Sequence, residues 1–146
     1  MSEALIESVN KQVANWKVLD MKLHHFHWYV KGPQFFVLHE KFEELYNEAE
    51  TNVDELAERI LAIGGKPVST LKECLQLSSI EEAVGNEKAD EMIQSLVKDF
   101  SMLTGELKEG IALAEKNEDE VTADMLLSIL QSLEKHIWML QATLDQ

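Results

Sequence analysis

The sequence predicts an all-α fold, a four-helix bundle with a short extra helix in the crossover between its second and third long helices. Three observations carry that expectation. Apolar residues recur every three or four positions through four long segments, the period of an amphipathic helix. Strand-like alternation, low-complexity runs and internal repeats are absent from the 146 residues. Both prolines sit beside or near glycines, in Gly32-Pro33 and Gly64-Gly65-Lys66-Pro67, where they separate helices and do not interrupt them. A chain of this length can bury about 70% of its unfolded surface, so a single domain over residues 1–146 needs neither disulfide nor metal to fold.

The elements follow in order. From Leu5, the stripe Val9, Val13, Trp16, Leu19, Leu23, Phe26 and Val30 marks a first helix of about 27 residues. Trp16 belongs to its core face. The second helix runs from about Phe35 to Ile63, with Leu38, Phe42, Leu45, Ala49, Val53, Leu56, Ile60 and Ile63 as its stripe. Thr70 and Glu73 have the spacing of a capping box, as do Ser79 and Glu82. They predict a short helix over about 70–77 and a third long helix over about 86–116. Asn117, with Glu120 three residues later, is read as the start of a fourth helix to about 144.

Charge narrows the function. Thirteen basic against 27 acidic side chains give a formal −14, a surface that repels nucleic acid and anionic lipid and attracts cations. Charges interrupt every apolar run well short of the roughly 18 residues a membrane span needs. The first ten residues carry Glu3 and Glu7 but no Lys or Arg, unlike a secretory signal, and the single Cys74 has no internal disulfide partner. A reducing cytoplasm is the expected compartment. Cys74 is expected to be a small buried apolar residue.

Five residues stand out: His27 at the end of the first helix, then His39, Glu43, Asp54 and Glu58 on the second. Imidazole with carboxylate and no thiolate suits Fe²⁺, Mn²⁺ or Zn²⁺. Residue types alone favour a solvated acidic face and structural histidines over a metal site, and geometry raises the metal reading. Stepping about 100° per residue from His39 places Glu43 near 40°, Asp54 near 60° and Glu58 near 100°. The apolar stripe clusters between about −40° and −120°, so these side chains point away from the bundle's own core. Glu-x-x-His, the signature of a di-iron site built inside one bundle, occurs nowhere in the chain. Along the helix, Glu43 and Asp54 are eleven residues apart, about 16 Å, too far to share one ion. Two antiparallel copies crossing at position 48.5 would instead set His39 and Glu43 of one against Glu58 and Asp54 of the other. That is a two-fold interface with two equivalent sites.

The residues His27-Trp28-Tyr29, Gly32, His39-Glu40, Asp54-Glu55, Ala57-Glu58-Arg59, Ile63-Gly64-Gly65 and Lys135-His136-Ile137-Trp138-Met139 resemble the Dps proteins, mini-ferritins named as DNA-binding proteins of starved cells. The resemblance covers nearly the whole chain. It implies a ferritin-like four-helix subunit assembled into a hollow dodecamer. Fe²⁺ would be oxidised there, chiefly by hydrogen peroxide, and stored as ferric mineral. It further implies that His27, His39 and Glu43 of one subunit share a ferroxidase centre with Asp54 and Glu58 of its neighbour. The family usually has Asp where this chain has Glu43, which keeps the charge and moves the carboxylate by about 1 Å. Members that bind DNA do so largely through basic tails. Here the first basic residue is Lys11, and Asp145 is the only charged side chain after Lys135, so appreciable DNA binding is not expected.

Glu40, Glu44, Glu48 and Glu55 fall near 100–180° on the wheel, a solvated face in a monomer. In a shell that face could look inward, which makes Glu44 and Glu48 candidate mineral-nucleation residues. Glu118, Asp119, Glu120 and Asp124 straddle the predicted start of the fourth helix, where acids also suit the helix dipole. The resemblance implies that acids here line iron-admitting pores, with Asp119 and Asp124 the candidates. It also implies that Trp28 intercepts oxidising equivalents. His24, His25 and His136 are read as structural. The leading expectation is therefore an iron-storing ferroxidase. Its rival is a non-enzymatic helical protein whose acidic face binds a basic partner or a structural divalent ion.

Overall fold

The computed structural model describes residues 2–144 and forms five helices with no strand among them: α1 (Glu3–Tyr29), α2 (Phe35–Ala62), α3 (Leu71–Leu77), α4 (Ala89–Lys116) and α5 (Glu120–Leu144). α1 packs along α2, α4 along α5, and α1 bridges the two pairs by touching α4 and α3. Contacts between residues 27 and 39, 24 and 46, and 10 and 66 show that α1 and α2 run antiparallel. Trp16, Phe26, Phe42 and Phe100 are the largest fully buried side chains, set among leucines and isoleucines from all four long helices. No described helix is long and apolar enough to cross a membrane.

Local chemistry sets the helix ends. Ser2 caps α1 by accepting from the Leu5 N–H at 3.3 Å. α2 closes in a Schellman turn: Gly64 takes φ +90°, and the Gly65 N–H reaches the Ile60 carbonyl at 2.8 Å. A Cβ on Gly65 would lie 2.9 Å from methyl groups of Ile6 and Ile60, so the crossover can lie against α1 only with glycine there. Thr70 caps α3 as the spacing predicts, accepting from the Glu73 N–H at 3.1 Å, but the Glu73 carboxylate accepts from the Thr70 hydroxyl and the Ser69 N–H, so the reciprocal half of a capping box does not form.

Two predicted starts move. Ser79 caps no helix, because its N–H donates to Asn15 and its hydroxyl to Glu106, tying the crossover to α1 and α4. Glu87 accepts from the backbone of Val84 and Gly85, holding a turn that delays α4 until Ala89. Asn117 ends α4 and does not open α5: its side chain donates to the Leu113 carbonyl at 2.7 Å. Glu118 takes the left-handed conformation at φ 57°, and the Asp119 N–H reaches back to Ala114 in a second Schellman turn. Asp119 then accepts from the Thr122 N–H at 3.0 Å and becomes the cap of α5.

Buried polar groups hold the crossover in register. Asn15, fully buried, takes bonds from Ser78 and Ser79 and donates to Glu106 at 2.7 Å. Lys22 of α1 meets Asp99 of α4 at 2.7 Å in a buried ion pair. Burial raises the Asp99 carboxyl above its ordinary value, against the pull of Lys22.

Candidate metal centre

The α1–α2 hairpin brings His27 and His39 face to face. Their rings stack at 3.7 Å with planes 14° apart. Each Nδ1 donates to the other residue's main-chain carbonyl, at 2.6 Å from His27 and 2.7 Å from His39. A carbonyl only accepts, so both Nδ1 atoms carry the proton and both Nε2 atoms keep a lone pair. That is how a ligating imidazole is normally oriented. Glu43, one turn beyond His39, places Oε1 3.9 Å from Nε2 of His27 and is about half exposed. His27 is buried and His39 half-buried, so the pair sits at the edge of the core with its acid in solvent.

Asp54 and Glu58 lie elsewhere. Both are exposed on the same α2 face, about 16 Å and more along the helix from Glu43, and neither has an ion pair or hydrogen bond among the described residues. Within the chain His27 therefore lies beside both His39 and Glu43, though the three do not close into one group of convergent donors, and Asp54 and Glu58 stand apart.

The other sequence candidates divide by whether their acids are engaged. Glu44 is exposed and lies 3.5 Å from Lys41. Glu48 accepts from Ser132 and, at 2.7 Å, from Nε2 of His136. Burial pushes the Glu48 carboxyl up, but the bonds from His136 and Ser132 outweigh it and leave the group below its usual range. His136 thus has a carboxylate partner from α2 that its own helix does not reveal. Glu48, Glu55 and Asp124 line one open groove between α2 and α5, with Asp124 exposed. Asp119 is buried, bonded to Thr122, and paired with Arg59 at 3.0 Å. Trp28 is exposed, its ring 5.4 Å from that of His24. Cys74 is buried and its thiol is pushed up by that burial.

Sequence reasoning missed one cluster. Among the described residues, Asp20, His24 and Glu50 form a group of three potential ligands whose donor atoms all lie within 4.8 Å of one another. Burial raises the Asp20 carboxyl, opposed by His24 and reinforced by Glu50. Two signals were available: Asp20 and His24 are one turn apart on α1, and Glu50 falls near 20° on the α2 wheel, on the His39–Glu43 face. What the sequence lacks is the helix pairing that sets Glu50 against the other two.

Known proteins match along the whole chain. Residues 6–146 fit the ferritin-like domain model. The chain is 60% identical to DNA protection during starvation protein 2 of Bacillus anthracis, with all of both chains covered. It is also 60% identical to general stress protein 20U of Bacillus subtilis (strain 168), covering 99% of each. The crystal structure of Dps from Staphylococcus aureus superposes with a TM-score of 0.98 at 49% identity, covering 99% of this chain and 97% of that one. An all-helical hairpin pair with a helical crossover, the full-length identity and the superposition agree: the chain belongs to the Dps proteins of the ferritin-like fold.

Proposed function

We propose that this Dps protein is a ferroxidase and iron store, and that its oxidation centre is shared between two copies of the chain. The observation that supports this most directly is the stacked His27–His39 pair, whose Nδ1 protons are committed to main-chain carbonyls and whose Nε2 atoms are free beside Glu43. It is half of an N/O metal site, and Asp54 and Glu58 of a neighbour supply the other half. An exposed apolar patch of Met21, Trp28, Tyr29, Leu71 and Leu75, lining a groove of about 600 Å³ on the α1 and α3 side, favours burial against another copy. The full assembly is a hollow dodecamer in the cytoplasm.

The chemistry is redox at the metal. Two Fe²⁺ each lose one electron, hydrogen peroxide takes both, its O–O bond breaks, and two hydroxides leave with Fe³⁺ for the mineral. The protein holds the ions and stabilises the higher charge with carboxylate, and no protein nucleophile is required. Glu44 is the freer nucleation acid and Asp124 the freer pore acid, because Glu48 and Asp119 are engaged within the chain. Trp28 serves as the oxidisable side chain near the centre. Protection of DNA then follows from removing Fe²⁺ and peroxide together, since a chain of −14 repels a phosphate backbone.

Anaerobic loading with Fe²⁺ followed by peroxide should give a rapid rise in ferric absorbance. His39→Ala combined with Asp54→Ala should abolish that fast phase, and an unchanged rate would remove the site assignment. A monomer on sizing would remove the shared geometry. A plasmid retarded by the protein at low salt and neutral pH would overturn the DNA reading.

A further inference from the structure

Two turns along α2 from Glu43, the chain holds a second set of metal-type donors that none of the five shared-site residues enters. Asp20 is only 9% exposed, and its Oδ1 is buried with no hydrogen-bond partner. Nδ1 of His24 lies 3.4 Å from that oxygen, but its proton goes to the Asp20 main-chain carbonyl at 2.8 Å. An orphaned buried carboxylate oxygen is destabilising and uncommon in a native fold. Nδ1 is the His24 nitrogen beside the Asp20 carboxylate, so an ion bound there would take the tautomer with its proton on Nε2. The His24 ring is fixed further by stacking on Tyr46 at 3.7 Å, planes 15° apart. Glu50 closes the group from α2, exposed on its outer side.

We propose that Asp20, His24 and Glu50 form a binding site for a divalent first-row cation, carried within a single chain and separate from the shared centre. One imidazole and two carboxylates match Fe²⁺, Mn²⁺, Co²⁺ or Zn²⁺, and the two negative charges balance a divalent ion. Three protein ligands leave positions open for water, so the ion can exchange. The site also has a place in iron traffic. Tyr46 lies between the two stations, its ring stacked on His24 and edge-on to His27 at 5.3 Å. Glu43, Glu50 and Asp54 share one stripe of α2, near 20–60°. A cation released by Asp20, His24 and Glu50 therefore lies on one helix face between Glu43 of one shared centre and Asp54 of the other.

Anaerobic titration of the assembled protein with Co²⁺, followed by visible absorption and equilibrium dialysis, tests this. The His39→Ala/Asp54→Ala variant, which lacks the shared centre, should still bind one Co²⁺ per chain. Adding Asp20→Asn or Glu50→Gln should weaken that binding by about tenfold or more. In the otherwise unaltered protein, either substitution should remove one ion per chain and leave binding at the shared centre intact. Glu50→Gln keeps the side chain's size and carries the test if Asp20→Asn impairs assembly. The site is refuted if the variant lacking the shared centre binds no Co²⁺, or if Glu50→Gln leaves its binding unchanged. Neither result bears on the ferroxidase reading, which depends on the other five residues.

Discussion

At the N-terminal end of α2, His39 and Glu43 find His27 waiting on α1, and the imidazoles are locked by reciprocal bonds to each other's backbone. Near its C-terminal end, Asp54 and Glu58 stand in solvent on the same helical face with no partner among the described residues. One end is built by folding and the other is left open. The difference separates what a fold can complete from what only association can. A hairpin can bring two helices' side chains together, but it cannot bring one straight helix's two ends within reach of a single ion.

The largest effect should come from mixing. Chains with His39→Ala and chains with Asp54→Ala should each lose the fast iron-oxidation phase. Dissociated, mixed in equal amounts and reassembled at random, they should recover about one quarter of wild-type activity. Half the two-fold pairs are then hetero-pairs, and each holds one intact centre of two. Stopped-flow ferric absorbance reads this directly, and no recovery would mean that the two residues serve the same copy.

Stability should split the two ends in the opposite sense. His39→Ala keeps the main-chain carbonyl that accepts from His27 but leaves the His27 carbonyl without its donor and removes the ring stacked on His27, a loss of about 1–3 kcal/mol. Asp54→Ala removes an exposed side chain with nothing bonded to it and should stay within about 0.5 kcal/mol. Denaturant unfolding at a fixed subunit concentration makes the comparison, since assembly itself adds stability. A comparable loss at Asp54 would mean that it is already bound to something structural.

Periodicity made the helices legible, because burial of one face repeats at every turn: Leu38 through Ile60 all reappear in the core or against it. The expected ligands on α2, His39, Glu43, Asp54 and Glu58, stand out for the same reason, as polar residues set off from that stripe. Other features depended on which helix lies beside which. Asp20 and His24 meet Glu50 only through the α1–α2 pairing, and His136 meets Glu48 only across α2 and α5. Caps failed where another partner, tertiary or on the preceding helix, took the capping group. Ser79 has the capping spacing, but Asn15 and Glu106 take its hydrogen-bonding groups. Asn117 has it too, and spends its side chain on the helix behind it.

The contrast between engaged and free groups recurs on a smaller scale at the start of α5. Asp124 is exposed, whereas Asp119 is bonded to Thr122 and Arg59. Asp124→Asn should slow Fe²⁺ uptake into the assembled shell several-fold at low ionic strength without moving the unfolding midpoint, because an exposed acid acts through steering. Stopped-flow oxidation at two salt concentrations checks it, and a slowing that high salt does not reduce would exclude steering.

Asp119→Asn should do the reverse, leaving uptake alone and costing about 1–2 kcal/mol of stability at neutral pH. Asparagine still caps a helix, so the substitution isolates the charge. Burial pushes the Asp119 carboxyl up, but the bonds from Thr122 and Arg59 win and hold it below its ordinary 3.8. A depressed carboxyl contributes stability that is fully present above its unfolded value and is lost as pH falls through the folded one. The gap between wild type and Asp119→Asn should therefore be constant from neutral pH to about pH 5 and narrow below 3.8. Unfolding midpoints across that range measure it. A gap that persists unchanged into strong acid would show that Asp119 acts through its shape and not its charge.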